Sequence, residues 1–262
     1  MESSKENIPL IILISCVATI GGFLFGFDSG VINGTVEGLQ SAFNSNSAGT
    51  GFNVSSMLIG CAIGAFSAGQ LADKFGRKPL LITAAIFFII SAWGSGIASS
   101  SLEFVVYRIL GGLAVGAASV LAPAYISEIA PARYRGALTT VQQFSIILGL
   151  FSAFVSNYYL ALLAGASTSD FWLDFQAWRW MFWIELIPAS LFLLALILIP
   201  ESPRYLVLRK KNVEAKTVLL SLYGAQSVAV KVKEIESSLS SDYSKPTLSD
   251  VIDTTTRKIR PI

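Results

Sequence analysis

Three ionisable residues, Asp28, Arg108 and Glu185, lie inside long apolar stretches of this 262-residue sequence. If those stretches cross a membrane, each charge costs roughly 2.5–3.5 kcal/mol at mid-span, which favours a functional role. An arginine keeps a neighbouring carboxylate ionised, and a proton taken up by the carboxylate releases the arginine. Asp28 and Arg108 are therefore predicted to form a protonation switch, with a static ion pair as the alternative. For Glu185 a structural hydrogen-bonding role is favoured.

The composition explains why such charges would be placed in a membrane. Hydrophobic residues make up 53% of the chain and charged residues 14%, and the mean hydropathy is +0.63. Soluble domains carry about 25% charged residues, so a soluble globule and a disordered chain are both excluded. The net charge of +2 gives no sign of a nucleic-acid partner. The sequence has no histidine, so any proton carrier must be a carboxylate.

Six stretches are long and apolar enough to span a bilayer, which requires about 20 helical residues. The predicted fold class is therefore an all-α membrane protein with six transmembrane helices and short cytoplasmic helices. We divide the chain into an N-terminus (1–9), a six-helix bundle (10–199) and a cytoplasmic segment (200–262). The predicted spans are 10–32, 53–72, 79–98, 104–126, 136–160 and 181–199.

The basic residues of the loops predict the orientation of these spans. Lys74, Arg77 and Lys78 follow the second span, Arg133 and Arg135 follow the fourth, and eleven basic residues follow the sixth. The loops after the first and third spans have none, and the loop after the fifth has one. Since cytoplasmic loops are enriched in Lys and Arg, both ends of the chain are predicted to be cytoplasmic, in a plasma or inner membrane.

This orientation brings the two opposite charges to one depth. Asp28 lies 18 residues beyond the start of an outward-running span, about 27 Å at 1.5 Å per residue. Arg108 lies four residues into an inward-running span, about 6 Å from the outer edge. An ion pair between them is predicted if spans one and four are neighbours.

Candidate ligand-binding groups lie on spans five and one. The Gln143 amide can donate to and accept from a hydroxyl-rich ligand, or make an interhelical hydrogen bond instead. Leu150 lies one heptad further on the same face, and Phe25 lies within one turn of Asp28, where it could stack on a sugar or simply pack. The sequence has no phosphate-binding loop for ATP and no pattern typical of a catalytic or metal site, so neither an enzyme nor a cofactor is expected.

Acidic and basic residues alternate at the predicted cytoplasmic helix ends. Asp73 lies close to Arg77, Glu128 precedes Arg135, and Glu201 follows the last span. Ion pairs among them could lock the cytoplasmic side shut and break when it opens. Positive-inside topology with capping is the alternative, but it does not explain the three acids. Asp73 is also predicted to cap the helix that follows it.

Residues 69–78, which read G-x-x-x-D-K-x-G-R-K, resemble the signature of the major facilitator superfamily. Four further runs resemble its sugar porter branch. The resemblance implies one six-helix half of a twelve-span fold, built from two inverted three-helix repeats, followed by an intracellular helical linker. It also implies monosaccharide transport by alternating access, with a proton as the coupling ion. The other four runs are 26–34 (GFDSGVING), 108–112 (RILGG), 128–136 (EIAPARYRG) and 200–204 (PESPR).

The resemblance also implies roles for individual residues. Asp28 matches the proton-coupling aspartate and Arg108 its partner, while Gln143 and Phe25 match residues at the sugar. Leu150 is a departure, because a proton-symporting member has Gln there and the facilitative branch an aliphatic residue. One hydrogen bond to the sugar is thus lost. The residues that match the charge network of the inner gate are Asp73, Arg77, Glu128, Arg135 and Glu201.

The expected partners are a monosaccharide, the lipid bilayer, and either a C-terminal six-helix half or a second copy of the chain. Short cytoplasmic helices are predicted at 205–223, 228–239 and 248–257. Two other functions remain open at this point. One is a facilitative sugar uniporter, against which Asp28 argues, and the other is a non-transporting membrane sensor that retains the gate motifs.

Overall fold

The computed structural model describes the backbone of residues 6–242 and the side chains of residues 6–239. Six helical segments are long and apolar enough to cross a membrane, which confirms the predicted fold class. Helices α6 and α7 together form the sixth span. The helices are α1 (Ile8–Ala42), α2 (Ser47–Phe75), α3 (Arg77–Ile97), α4 (Ser101–Ile129), α5 (Ala132–Ala164), α6 (Ala177–Ile184), α7 (Leu186–Leu198), α8 (Pro203–Leu208), α9 (Asn212–Tyr223) and α10 (Ala225–Asp242).

The first span is longer than predicted. Helix α1 has 35 residues and ends at Ala42, ten residues beyond the predicted end at residue 32. At 1.5 Å per residue it is roughly 52 Å long, well over the hydrocarbon thickness of about 30 Å. Its polar outer end therefore extends beyond the bilayer, and hydropathy alone could not show that the helix continues there.

The sixth span begins at Ala177, before the predicted residue 181, and is interrupted at Glu185. Pro188 has no backbone N–H to donate to the carbonyl of Ile184, four residues earlier, so a continuous helix is disfavoured there. The Glu185 N–H instead donates to the Phe182 carbonyl at 3.1 Å, a shorter-range bond than that of an α-helix. An acidic side chain is thereby placed at a helix break inside the membrane.

Helices α1 and α4 lie side by side at the centre of the bundle. Helix α2 packs mainly on α4 and α5 mainly on α1, while α3 packs on α4 and on the broken sixth span. If each of the first three spans is exchanged for its counterpart among the last three, the α2–α4 pair becomes the α5–α1 pair. The pair of α3 and α4 likewise becomes the pair of the sixth span and α1. Such an arrangement fits the two three-helix repeats that the sequence predicted.

Small residues allow a close crossing of α2 and α4, where each helix carries a G-x-x-x-G pair. Gly60 and Gly64 of α2 face Gly112 and Gly116 of α4. A Cβ atom added to Gly60 would overlap the Ile109 carbonyl, and one on Gly112 would overlap the backbone of α2. Only glycine permits this separation, which holds α2 tightly on α4.

The outer faces of α2 and α5 are the least buried surfaces of the bundle. Large apolar side chains are exposed there, and Phe66 is 84% exposed. Lipid or another helical layer must cover such a surface in a membrane. The exposed residues include Phe52, Leu58, Ile63 and Phe66 on α2, and Phe144, Ile147, Phe151 and Phe154 on α5.

The helices after the sixth span differ from the predicted boundaries. The single helix predicted at 205–223 is divided into α8 and α9 by a turn in which Lys210 has φ 58°. Helix α10 corresponds to the predicted 228–239, and the helix predicted at 248–257 lies outside the described residues. These helices bind the ends of the spans: the Asn7 N–H donates to the Leu222 carbonyl at 2.8 Å, and Tyr223 Oη donates to the Ile129 carbonyl at 2.6 Å.

Candidate functional site

The central feature of the bundle is a buried ion pair between Asp28 of α1 and Arg108 of α4. Arg108 Nη1 donates to Asp28 Oδ1, and both residues are 1% exposed. The contact predicted from the depth of the two residues is therefore present. Because the two charges neutralise each other away from water, a change in either one alters the energy of the other strongly.

Two apolar residues complete the surroundings of Arg108, and neither was singled out from the sequence. Arg108 Nη2 donates to the Met57 sulfur of α2 at 2.9 Å, and the guanidinium lies 5.6 Å from the ring centre of Phe182 on α6. Met57 and Phe182 are indistinguishable from packing residues in the sequence. Among the described residues, Arg108 Nε and Asp28 Oδ2 have no hydrogen-bond partner. The pair is thus incompletely satisfied, which suits a group that changes partners.

Glu185 adds a third ionisable group to the same apolar compartment. It is 2% exposed at the break between α6 and α7 and lies within electrostatic range of both Asp28 and Arg108. One cation and two carboxyl groups thus share this apolar compartment.

The predicted ligand-binding residues lie at the interface between α5 and α1 or on the exposed side of α5. Gln143 is exposed on α5, whereas its neighbour Gln142 is buried and lies against Gly22 of α1. Phe25 and Leu150 are both half-buried. The open position of Gln143 leaves its amide available to a ligand, whereas the position of Gln142 is that of a packing residue.

Of the two ligand candidates on α5, Leu150 is the one that packs on the Asp28 segment of α1. Its backbone and side chain pack at Gly26 and Gly30, which flank Asp28 in the sequence. Gln143 lies two helical turns earlier on α5. The predicted sugar residues and the ion pair are therefore connected through the tight α1–α5 contact.

Arg77, the first residue of α3, is the centre of a second charged network. Its guanidinium lies 3.1 Å from Asp73 and 3.0 Å from Glu128, and it also donates to the Ala72 carbonyl at 3.0 Å. The Asp73 side chain is 66% exposed, whereas that of Glu128 is 9% exposed. Three of the predicted gate residues are thus in contact, where the C-terminal ends of α2 and α4 meet the start of α3.

Glu201 joins this network through the backbone. Its carboxylate accepts from the Arg77 N–H at 3.1 Å and from the Lys78 N–H at 3.2 Å, the first amides of α3. A carboxylate at a helix N-terminus satisfies free N–H groups and favours the helix dipole. The prediction that Asp73 caps this helix is wrong, because α2 continues to Phe75 and Gly76 occupies the cap position.

Arg135, the remaining gate candidate, lies beside this network. It is exposed and lines a polar cavity of 300 Å³ together with Glu128, Arg204 and Glu234. Tyr125, which the sequence did not single out, donates to the Pro200 carbonyl at 2.5 Å and fixes the end of the sixth span beside the network. Within residues 6–239, no three Cys, Asp or Glu side chains form a candidate metal site.

Comparisons with known proteins place this geometry in a family. The family model described as Sugar (and other) transporter matches residues 14–260. The chain is 48% identical over 252 residues to the Glucose transport protein of Synechocystis sp. (strain ATCC 27184 / PCC 6803 / Kazusa), covering 96% of this chain and 53% of that protein. It is 41% identical over 263 residues to the D-xylose-proton symporter of Escherichia coli (strain K12), covering 90% of this chain and 53% of that protein.

A solved structure agrees with these relatives. The MFS (major facilitator superfamily) proton:xylose symporter XylE, bound to 6-bromo-6-deoxy-D-glucose, superposes with a TM-score of 0.85 at 40% identity. The match covers 91% of this chain and 55% of that chain. The chain thus spans about half the length of the relatives it matches, all of which are transporters and none an enzyme. The chain belongs to the sugar transporter family of the major facilitator superfamily.

Proposed function

We propose that this chain is the N-terminal half of a sugar–proton symporter that works by alternating access. The observation that carries the proposal is the buried pair of Asp28 and Arg108, which joins the two central helices of a sugar transporter bundle. Protonation of Asp28 weakens its hold on Arg108, and the balance between outward-open and inward-open states shifts in consequence. The sugar is a monosaccharide, and two similar proteins are named xylose–proton and arabinose–proton symporters.

In this mechanism the exposed face of α5 provides part of the sugar site. Gln143 contributes a donor and an acceptor to sugar hydroxyls. Phe25 and Leu150 contribute apolar surface, and Phe25 can stack on the ring of the sugar. A C-terminal six-helix half would cover the apolar faces of α2 and α5 and complete the cavity.

The cytoplasmic network closes the inner gate in the same proposal. Asp73, Arg77, Glu128 and Glu201 hold the inner ends of α2, α3, α4 and the sixth span together, with Arg135 beside them. Opening toward the cytoplasm requires these contacts to break. The segment 200–262 is the linker between the two halves, and both ends of the chain lie in the cytoplasm of a cell bounded by the plasma or inner membrane.

A transport assay tests the coupling. Proteoliposomes containing the complete transporter, with this chain as its N-terminal half, receive an inward proton gradient and labelled glucose, xylose or arabinose. We expect uphill accumulation that a protonophore abolishes and that Asp28→Asn eliminates, while Asp174→Asn in the exposed outer loop accumulates sugar normally. Accumulation that ignores the protonophore would identify a uniporter, and accumulation by Asp28→Asn would remove Asp28 from the coupling step.

The 262-residue chain alone is reconstituted in parallel. No uptake is expected, because the proposed sugar cavity lies between two halves. Uptake by the chain alone would show that it works as a complete transporter, for instance as a pair of copies, and would overturn the assignment as one half.

Adjacent glutamines of α5 test the sugar site. Gln143→Ala is expected to raise the Kd for the transported sugar about tenfold, since a lost hydrogen bond costs roughly 1–1.5 kcal/mol. Gln142→Ala is the matched control, because this residue is buried against α1. If calorimetry shows weaker binding for Gln142→Ala but not for Gln143→Ala, the assignment of Gln143 is wrong.

A further inference from the structure

The second carboxylate oxygen of Asp28 is the starting point. Asp28 Oδ1 is engaged by Arg108, whereas Oδ2 is buried and has no hydrogen-bond partner among the described residues. An ionised carboxylate accepts hydrogen bonds only, but a protonated one also carries an O–H that needs an acceptor. A carboxyl that carries a proton through an apolar bundle therefore requires a neutral acceptor beside the oxygen that Arg108 leaves unoccupied.

Gly111 leaves room for such an acceptor. It lies on α4 one turn after Arg108, and a Cβ atom added to it would lie 3.7 Å from Asp28 Oδ2. The same Cβ atom would overlap Ser91 Oγ, which approaches from α3. The missing side chain of Gly111 thus leaves one small space that the free oxygen of Asp28 and the hydroxyl of Ser91 share.

The charged groups around this space set the chemistry. Arg108 contacts Asp28 from α4, and Glu185, at the break in the sixth span, interacts with it electrostatically. Helix α3 instead contributes the buried hydroxyl of Ser91, and the apolar Leu150 of α5 packs at Gly30, two residues after Asp28. The uncharged polar group that borders the same space as Asp28 Oδ2 is therefore the hydroxyl of Ser91.

We propose that Ser91 and Asp28 Oδ2 form the binding site of the transported proton, with Ser91 Oγ as the acceptor for the protonated carboxyl. A proton from the outer aqueous phase adds to Oδ2, and the new O–H donates to Ser91 Oγ while Arg108 remains a cation. No other bond forms or breaks. The inference rests on the proposed proton coupling and adds a positioning residue, Ser91, together with Gly111, which keeps the space open.

Removing the Ser91 hydroxyl destabilises the protonated form of Asp28. The ionised form of Asp28 keeps its ion pair with Arg108. Ser91→Ala should therefore need a higher proton concentration to load. A neutral hydrogen bond of ordinary strength corresponds to a shift of about half to one pH unit in the half-maximal point of uptake, toward lower pH. Sugar counterflow requires no net proton movement, so it should change less than uphill accumulation does.

The experiment measures accumulation against external pH in proteoliposomes of the complete transporter. Ser95→Ala is the matched control, because Ser95 lies one turn further on α3 and its buried Oγ has no partner among the described residues. We expect the wild-type profile for Ser95→Ala, the acid-shifted profile for Ser91→Ala, and a return toward wild type for Ser91→Thr, which retains a hydroxyl. Gly111→Ala fills the shared space and should reduce sugar accumulation. Its melting temperature is measured separately, so that a loss of folding can be distinguished from a loss of accumulation.

The outcomes separate the two proposals. If Asp28→Asn still accumulates sugar, the proposed coupling itself fails. If Asp28→Asn loses accumulation but the Ser91→Ala profile superposes on wild type, only the role of Ser91 is overturned. An equal shift in Ser95→Ala would also overturn it, because the effect would then come from altered packing of α3.

Discussion

Two groups of arginine and carboxylate side chains lie in different parts of this bundle, and their surroundings differ sharply. Arg108 and Asp28 lie within the spans and are almost inaccessible to solvent; besides their ion pair, Arg108 contacts the Met57 sulfur and the Phe182 ring. Arg77, at the first turn of α3, has two carboxylate partners and a backbone carbonyl, and one of those carboxylates is mostly exposed. The pair within the spans is isolated, whereas the network around Arg77 is shared and partly solvated.

The difference fits the two proposed roles, a proton-coupling pair and a gate. An isolated buried pair changes its energy greatly when a single proton arrives, because no water compensates the charge that remains. The exposed members of a network lose their contacts at little cost, since water replaces the partner. The buried pair therefore suits the detection of a proton, and the network suits repeated opening and closing.

The largest effect is expected at the buried pair. Arg108→Ala leaves the Asp28 carboxylate without a cation in an apolar site and should destabilise the protein by about 3–5 kcal/mol. Thermal unfolding of purified protein in detergent measures the loss. Asp28→Asn combined with Arg108→Ala removes both charges, so it should recover much of the stability. Additive losses in the double variant would show that the pair is not the source of the effect.

The sequence predicted this pair because the physics that constrains it is simple. Charges inside apolar spans must be neutralised, and counting residues from the span ends gave Asp28 and Arg108 a common depth. Spans of about 20 apolar residues and the alternation of basic loops predicted the six helices in the same way.

What the sequence could not show depends on three-dimensional proximity. Met57 and Phe182 contact Arg108 from other helices, and no local pattern distinguishes them from packing residues. The first amides of α3 are capped by Glu201, which is more than 120 residues away in sequence, and not by the nearby Asp73. The helix break at Glu185 depends on the single proline Pro188. Hydropathy shows one continuous apolar stretch there and does not reveal the break.

The next effect concerns the buried member of the network around Arg77. Glu128→Gln removes the charge from a side chain that is 9% exposed and hydrogen-bonded to Arg77 at 3.2 Å. A hydrogen bond between charged groups contributes about 1.5–3 kcal/mol, and the loss should be in that range. Melting temperatures measure it, and cytoplasmic labelling of an engineered cysteine should increase as the gate opens. A loss as large as that of Arg108→Ala would remove the distinction between the two regions.

A neutral contact provides a smaller step in the same series. Tyr223→Phe deletes the 2.6 Å hydrogen bond to the Ile129 carbonyl and should cost about 0.5–1.5 kcal/mol. Burial, and then the nearby charge of Glu6, raise the pKa of Tyr223 to about 12. Because this pKa is raised above its unfolded value of about 10, the stabilisation is complete below pH 10 and is lost as the pH rises toward 12. Ultraviolet absorbance of phenolate checks this, and ionisation of Tyr223 near pH 10 in folded protein would contradict it.

The smallest effect is expected at Asp73, which shares Arg77 with Glu128. The Arg77–Asp73 pair has i,i+4 spacing and a 66% exposed carboxylate, so Asp73→Asn should cost only about 0.3–0.5 kcal/mol. Salt should abolish even this difference, since the Debye length falls to about 3 Å at 1 M. Melting temperatures of Asp73→Asn and wild type at low and high salt measure both effects. Glu128→Gln, whose bond is shielded from solvent, should keep its deficit at 1 M salt, and equal salt dependence of the two variants would show that burial does not separate the partners of Arg77.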